Sequence, residues 1–249
     1  METLPYLREI SLKSDKIENW DLFPFTIPAI RNLDHLHFSP TVTFIIGENG
    51  SGKSTLVEAI AVAMGFNAEG GTKNFNFGTR DSHSDLHQYL RLVKSIKRPR
   101  DGFFLRAESF FNVSTNIEQL DGGAGGPPII DSYGGSSLHE QSHGESFLSL
   151  ILHRFSGNGF YILDEPEAAL SPTRQLTVLA RMNQLLEKDS QFIIATHSPI
   201  LMAYPGALIY HINESGIESV DYEETEHYEI TKAFLDNPNR MLQELFRDD

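Results

Sequence analysis

The chain has 249 residues, of which 40% are apolar and 22% charged, the composition of an ordinary globular protein. It contains 34 acidic and 20 basic residues, a formal net charge of −14, and no cysteine. The apolar fraction argues against intrinsic disorder. The absence of cysteine excludes a disulfide framework, a thiolate nucleophile and a cysteine-ligated metal site. The negative net charge argues against indiscriminate nucleic-acid binding, though not against a local basic groove.

The apolar segments are too short for a membrane span, which needs about 18 consecutive apolar residues. Residues 1–12 lack the basic start and apolar run of a signal peptide, so we expect a cytoplasmic protein. The length predicts a single domain over residues 1–249, with a core over 41–212 and a helical C-terminal extension over 223–249.

The first forty residues mix short apolar segments with prolines, which predicts an N-terminal antiparallel β portion with strands near 6–12, 23–27 and 36–38. Further along, buried strands alternate with helices, the pattern of a mostly parallel α/β sheet flanked by helices. The predicted strands cover residues 41–46, 102–107, 160–163, 191–195 and 207–212. The predicted helices cover residues 55–64, a segment from about 144, 172–188, and one or two helices in 223–249 broken near Pro238.

A phosphate loop is indicated by the pattern G-x-x-x-x-G-K-[ST], which residues 47–54 satisfy between a predicted strand and a predicted helix. Glycines let the backbone turn tightly, and the loop N–H groups and helix dipole attract a triphosphate. We expect Lys53 to bridge the β- and γ-phosphates of ATP and the Ser54 hydroxyl to ligate Mg²⁺. The residues expected to hold ATP are Gly47, Asn49, Gly50, Ser51, Gly52, Lys53, Ser54 and Thr55.

Two acids follow the apolar run 160–163, and a buried strand there would deliver both to the carboxyl edge of the sheet beside the phosphate loop. We expect Asp164 to hold the Mg²⁺ shell and Glu165 to polarise the water that attacks the γ-phosphate. The alternative is an ordinary strand end with two solvated acids.

Two further motifs point to a family. Residues 141–145 read Gln-Ser-His-Gly-Glu before a predicted helix, and residues 195–199 read Ala-Thr-His-Ser-Pro at the end of a predicted strand. With the phosphate loop and the two acids, they resemble the ABC-type ATPases, whose signature LSGGE is matched at Ser142, Gly144 and Glu145. These motifs look more like those of the non-transporter branch of the family, which includes the SMC, RecF and OLD-type ATPases. Only 33 positions separate residue 108 from residue 141, which leaves no room for the coiled coil of SMC proteins.

The resemblance implies a P-loop NTPase fold of the ABC-ATPase type with a helical signature subdomain. It implies that Ser142, Gly144 and Glu145 bind the γ-phosphate of ATP held by a second copy, so that ATP closes a head-to-tail homodimer. It also implies that His197 contacts the γ-phosphate, and that residues 167–171 form the D-loop, with Ser171 in place of its usual aspartate.

Two family positions stay open. For the Q-loop glutamine we considered Glu108, Ser109, Gln119 and Gln88. For the aromatic residue that stacks on adenine, the candidates are Trp20, Phe23 and Phe25.

The function expected is an ATPase whose dimerisation acts on nucleic acid or on a protein effector, in DNA repair or bacterial defence. The alternatives are the nucleotide-binding subunit of an ABC transporter with a separate membrane chain, and an ATP-gated scaffold with negligible turnover. A basic cluster could contact nucleic-acid phosphates, although we favour a solvated helix face and its exit loop. The basic cluster consists of Arg91, Lys94, Lys97, Arg98 and Arg100.

Overall fold

The computed structural model describes residues 4–73, 84–110 and 143–247. The strands in this part of the chain are β1 (Leu7–Leu12), β2 (His35–His37), β3 (Val42–Gly47), β4 (Leu90–Lys94), β5 (Asp101–Arg106), β6 (Gly159–Asp164), β7 (Gln191–Ala195), β8 (Leu208–Asn213) and β9 (Gly216–Ser219). The helices are α1 (Pro28–Arg31), α2 (Lys53–Ala63), α3 (Leu86–Tyr89), α4 (His143–Ser149), α5 (Pro172–Leu186), α6 (Pro199–Met202), α7 (Glu226–Asp236) and α8 (Pro238–Leu245). Short 3₁₀ turns cover Ser14–Lys16, Pro166–Ala169 and Tyr222–Glu224, and a π-helical turn covers Leu150–Arg154.

The main sheet has the order β5-β6-β7-β3-β8-β9 within the described residues. Its first five strands run parallel, and β9 adds an antiparallel hairpin on β8. The strands β3, β6 and β7 are buried along their whole length, as expected of parallel strands covered on both faces. The predicted mostly parallel sheet flanked by helices is therefore confirmed.

Each face of the sheet carries its own apolar core. Alternate residues of a strand point to opposite faces, so Ile45 packs on one side and Phe44 on the other. The first side is covered by α2 and the N-terminal segments, and the second by α4, the π-helical turn and α5. These two layers hold the carboxyl ends of β3, β6 and β7 at one edge of the sheet.

The N-terminal antiparallel sheet has the order β2-β1-β4, which confirms two of its predicted strands. The predicted strand over 23–27 is wrong. Pro24 has no amide N–H to donate to a sheet, the Phe25 N–H turns back onto the Leu22 carbonyl at 2.8 Å, and Pro28 begins α1. The Phe25 side chain is nevertheless buried, 5.0 Å from the Tyr89 ring between ring centroids.

The favoured interpretation of the basic cluster as a helix face is also wrong. Residues 90–94 form β4, which pairs with β1 so that Leu92 lies opposite Ile10. The alternating apolar residues of β4 face the core while its basic residues face outward. The partner strand lies more than seventy residues earlier in the chain, so local periodicity could not indicate it.

The end of the described chain is helical, and Pro238 separates α7 from α8 as the sequence indicates. The Asn237 side chain accepts a hydrogen bond from the Arg240 N–H at 3.2 Å and caps α8. No helix in residues 4–73, 84–110 or 143–247 has the length and apolar character needed to cross a membrane.

Candidate functional site

The phosphate loop connects β3 to α2, and two of its glycines are required by geometry. Gly47 has φ of 149°, and a Cβ there would lie 2.4 Å from the Ile212 carbonyl oxygen. Gly52 has φ of 101°, and a Cβ there would lie 2.8 Å from the Ile27 side chain. Any larger residue would push the loop away from β8 and from Ile27. The Ser51 hydroxyl in this loop is buried without a hydrogen-bond partner among the described residues, which suits a loop built for a polar ligand.

Lys53 is the first residue of α2, and only 4% of it is exposed. Its Nζ donates to the carbonyl oxygens of Gly47 and Glu48, both at 2.8 Å. Burial lowers the pKa of Lys53, while the charges of Glu165 and Asp164 oppose that shift. An ammonium held in this position can pair with an anion seated in the loop.

Ser54 and Asp164, the two residues predicted to hold Mg²⁺, lie side by side. The Ser54 hydroxyl donates to Asp164 Oδ1 at 3.1 Å, across the gap between α2 and the end of β6. Burial raises the pKa of Asp164 to about 6, against the opposing effects of Arg106 and Ser54. A divalent cation would offset this cost of burying a carboxylate, so the residues fit Mg²⁺. The described residues contain no group of three or more His, Cys, Asp or Glu that could hold a metal ion.

Glu165 lies one residue beyond the strand, in a left-handed conformation with φ of 52°. Such a conformation costs a non-glycine residue about 1–2 kcal/mol, and strained residues of this kind concentrate at functional sites. Its N–H donates to the Ala195 carbonyl at 2.9 Å, which ties the end of β6 to the end of β7. The turn directs its carboxylate toward His197, with 3.8 Å between Oε1 and the His197 Nε2.

A cavity of about 260 Å³ runs along the phosphate loop and reaches Glu165. Among the candidate aromatic residues, Phe23 lines this cavity and is 65% exposed. Trp20 instead packs against Phe25 at a centroid distance of 6.0 Å, and Phe25 belongs to the core. The structure therefore brings only Phe23 of these three to the phosphate loop.

The His197 backbone is held by Glu167, a residue of the predicted D-loop. The His197 N–H donates to Glu167 Oε1, while Glu167 Oε2 is buried without a partner among the described residues. This contact joins the segment after β7 to the segment after β6, so His197 and Glu165 are positioned together.

The predicted signature segment is described only from its helix onward, and Ser142 lies outside the described residues. Gly144, the second residue of α4, packs against the predicted D-loop, and a Cβ there would lie 2.4 Å from the Ala169 carbonyl oxygen and 2.5 Å from Arg174 Nη1. Glu145 Oε1 lies 3.3 Å from Arg174 Nη2. These contacts attach the start of α4 to the segment that follows Glu165 in the same chain.

The substitution Gly144→Ala tests this close approach. Alanine favours helices over glycine by up to about 1 kcal/mol, so an unobstructed site would gain stability. We expect instead a loss of about 1–3 kcal/mol in the free energy of unfolding, because a backbone carbonyl cannot move aside cheaply. Urea denaturation measures the difference. Glu145→Ala is the control, since its exposed ion pair is worth at most about 1 kcal/mol, and a stabilised Gly144→Ala protein would contradict the packing.

The residues considered for the Q-loop fall in different places. Glu108 Oε2 lies 3.7 Å from Arg106 Nη2, and the Ser109 hydroxyl donates to the Glu69 carbonyl. Gln88 is bonded to Asp85 in α3, away from the phosphate loop, and Gln119 lies outside the described residues. Of the candidates that the structure describes, Glu108 is close enough to Asp164 for its charge to add to the rise in the pKa of that carboxyl.

The sequence interpretation missed two residues of the site. Arg106 ends β5, with Nη1 2.5 Å from Glu58 Oε2 and Nε 3.5 Å from Asp164 Oδ2. His227, in the first turn of α7, lies against His197. Arg106 could have been suspected because it ends a strand beside Asp164, whereas nothing near His227 in the sequence signals a site.

Two family models match the chain. Residues 16–122 match a model described as "AAA domain", and residues 135–203 match one described as "AAA domain, putative AbiEii toxin, Type IV TA system". The chromosome partition protein Smc of Methanocaldococcus jannaschii is 26% identical over 165 residues, which cover 57% of this chain. The chain spans only 14% of that relative's length.

The chain is also similar to solved structures at low sequence identity. A structure described as "an inward-facing conformation of a putative metal-chelate type ABC transporter" has a TM-score of 0.50 and 13% identity, covering 92% of this chain and 88% of its own. The SMC head domain from Thermotoga maritima has a TM-score of 0.47 and 17% identity, covering 86% of this chain and 99% of its own. At such low identity, the likeness to the transporter structure concerns the fold alone.

Proposed function

We propose that the chain, which matches two AAA-domain models and is similar to a chromosome partition protein Smc, is an ABC-type ATPase that binds ATP and Mg²⁺ between two copies of itself and hydrolyses the γ-phosphate. The proposal assigns Lys53, Glu165 and His197 to the reaction and Ser54 and Asp164 to the metal.

The observation that carries this proposal is the convergence of five side chains from distant segments. Ser54 and Asp164 are joined at 3.1 Å, and Glu165 and His197 approach to 3.8 Å. Buried Lys53 lies close enough for both acids to act on its charge. A chance Gly-rich turn would not bring a cation, two acids and an imidazole to one edge of a parallel sheet.

The chemistry follows from these positions. Mg²⁺, when bound, would neutralise charge on the phosphate oxygens. The loop N–H groups and Lys53 bind the triphosphate, and Glu165 accepts a proton from the water that attacks phosphorus. The bond between the γ-phosphorus and its bridging oxygen breaks, and ADP and phosphate leave. His197 stabilises the γ-phosphate oxygens.

The second copy would supply its signature segment to this phosphate. Support comes from Gly144, whose close packing on the D-loop couples the start of α4 to the strand end that bears Asp164 and Glu165. The arrangement would place the reacting groups and the cross-dimer contact on one rigid unit.

Light scattering of the wild-type protein tests the dimer. With Mg²⁺ and a non-hydrolysable ATP analogue, we expect the mass to double from 28.0 kDa. Lys53→Ala should bind no analogue and keep the single-chain mass. A single-chain mass for wild type with the analogue demonstrably bound would exclude the head-to-tail model.

The biological role we propose is action on nucleic acid or on a protein effector, in DNA repair or bacterial defence. The named relative is a chromosome partition protein, and one matching model is a toxin–antitoxin domain. Burial lowers the pKa of Lys73, and the nearby charges of Lys94 and Arg98, which belong to the basic cluster, act in the same direction. Lys97 is instead paired with Asp189 at 3.0 Å. Co-purification with a multispanning membrane protein would favour the transporter alternative instead.

Removing both charges in Lys94→Ala/Arg98→Ala should weaken binding to duplex DNA by about tenfold at low salt and flatten the salt dependence of the binding constant. Fluorescence anisotropy at two salt concentrations measures both quantities. The matched control is Lys232→Ala/Arg240→Ala on α7 and α8. Equal binding by the two double variants would show that the basic cluster does not contact DNA.

A further inference from the structure

The ring of His227 lies directly against that of His197. His227 Nε2 is 3.2 Å from His197 Nδ1, and the two ring centroids are 5.4 Å apart. Thr225 caps α7 by accepting from the Tyr228 N–H at 3.3 Å. The Tyr222 hydroxyl donates to the Pro199 carbonyl at 2.9 Å, which ties the start of this segment to the turn after His197. The contact between the imidazoles is therefore held from both sides.

One proton can occupy the hydrogen bond between the two rings, and its position determines what His197 presents to the phosphate. If the shared proton is on His197 Nδ1, then His197 Nε2 presents a lone pair to the Glu165 carboxylate, 3.8 Å away. If His227 donates it, His197 carries its own proton on Nε2. Only this second arrangement gives His197 a donor directed at Glu165 and at an anionic phosphate oxygen.

The environment of His227 favours the second arrangement. Burial lowers the pKa of His227, and the charges of His197, His211 and Lys53 lower it further. The charge of Glu226 opposes this shift. A neutral His227 has a single N–H to place. Its Nδ1 is buried and has no hydrogen-bond partner in the described part of the chain. A proton there would be an unsatisfied donor, whereas on Nε2 it reaches His197. His197 Nε2 also has no hydrogen-bond partner among the described residues, but it lies 3.8 Å from Glu165 Oε1, so a proton there faces a carboxylate.

We propose that His227 is a positioning residue that donates to His197 Nδ1 and so fixes the tautomer of His197 with its proton on Nε2. The proposal rests on the proposed function of His197 at the γ-phosphate and assigns α7 a part in that site. In this proposal His227 acts through His197 and not on the phosphate itself.

Nuclear magnetic resonance tests the tautomer without any need for turnover. In protein labelled with ¹⁵N-histidine, long-range ¹H–¹⁵N correlations at pH 8 should show the His197 proton on Nε2. His227→Gln keeps an N–H donor and should keep this tautomer, whereas His227→Phe should shift population to the Nδ1 form. His211→Gln is the control and should leave His197 unchanged. A wild-type Nδ1 tautomer, or the same tautomer in His227→Phe, would overturn the proposal.

Kinetics give a second readout. His227→Phe should lower kcat by about tenfold, the cost of one lost hydrogen-bond donor, with KM for ATP nearly unchanged. His227→Gln should restore most of the rate. Equal losses in both variants would indicate a merely structural role and contradict the proposal. If wild type itself lacks turnover, the proposed hydrolysis fails, while the tautomer measurement still decides the role of His227.

Discussion

Glu165→Gln is expected to reduce ATP hydrolysis by about 10²–10³-fold while leaving ATP bound, so that the ATP-closed dimer accumulates. Glutamine has the same size and tolerates the same backbone turn, but it cannot take a proton from the attacking water. The loop, Lys53 and Ser54 are untouched, so nucleotide affinity should persist. Phosphate release gives the rate, and light scattering in ATP and Mg²⁺ gives the mass.

The matched control is Glu187→Gln, an identical chemical change at the end of α5, where Glu187 accepts from Asn183 at 3.0 Å. It should hydrolyse ATP at the wild-type rate and form no stable dimer. A Glu165→Gln protein that retains more than about a third of the wild-type rate would remove Glu165 from the role of general base.

Asp164→Asn should abolish Mg²⁺-dependent hydrolysis and, in the same protein without nucleotide, increase stability by about 1–3 kcal/mol at pH 7. The sign follows from the pKa of Asp164, which burial raises from 3.8 to about 6. An acid whose pKa is raised by folding destabilises the native state wherever it is ionised. Arg106 keeps its pairing with Glu58 in the variant, so no buried cation is left alone.

Urea denaturation at pH 7 and pH 5 without metal measures this effect. The advantage of Asp164→Asn should shrink at pH 5, because native Asp164 becomes protonated as the pH falls through about 6. Adding Mg²⁺ with ATP should stabilise wild type and leave the variant unchanged. If the variant is less stable than wild type at pH 7, contacts within the protein already offset the cost of burying the ionised Asp164 carboxylate, and the prediction is wrong.

The phosphate loop, the strand before it, the helix after it and the two acids could be predicted because each motif is contiguous. β-branched apolar runs mark β3 and β7, and a glycine-rich turn or polar residues mark where these strands end. The register of the sheet then brings Asp164 level with Ala195, next to His197. Because neighbouring parallel strands end at the same edge of the sheet, motifs that are separate in the sequence lie together in one site.

The rest depends on contacts between distant residues. His197 and His227 are 30 positions apart, and Glu58 and Arg106 are 48 positions apart. The erroneous strand over 23–27 had the right apolar character, but its prolines favour a turn and a helix start. The strand β4 was missed because its basic residues suggested an exposed helix, while its pairing with β1 is decided by tertiary structure.

Phosphate release from the purified wild-type protein, compared in Mg²⁺ and in EDTA, tests the central claim most directly. The proposal predicts steady release in Mg²⁺, alone or on addition of DNA or RNA, that stops when the metal is chelated. No release in any of these conditions, from protein that demonstrably binds ATP, would contradict hydrolysis and leave an ATP-gated scaffold.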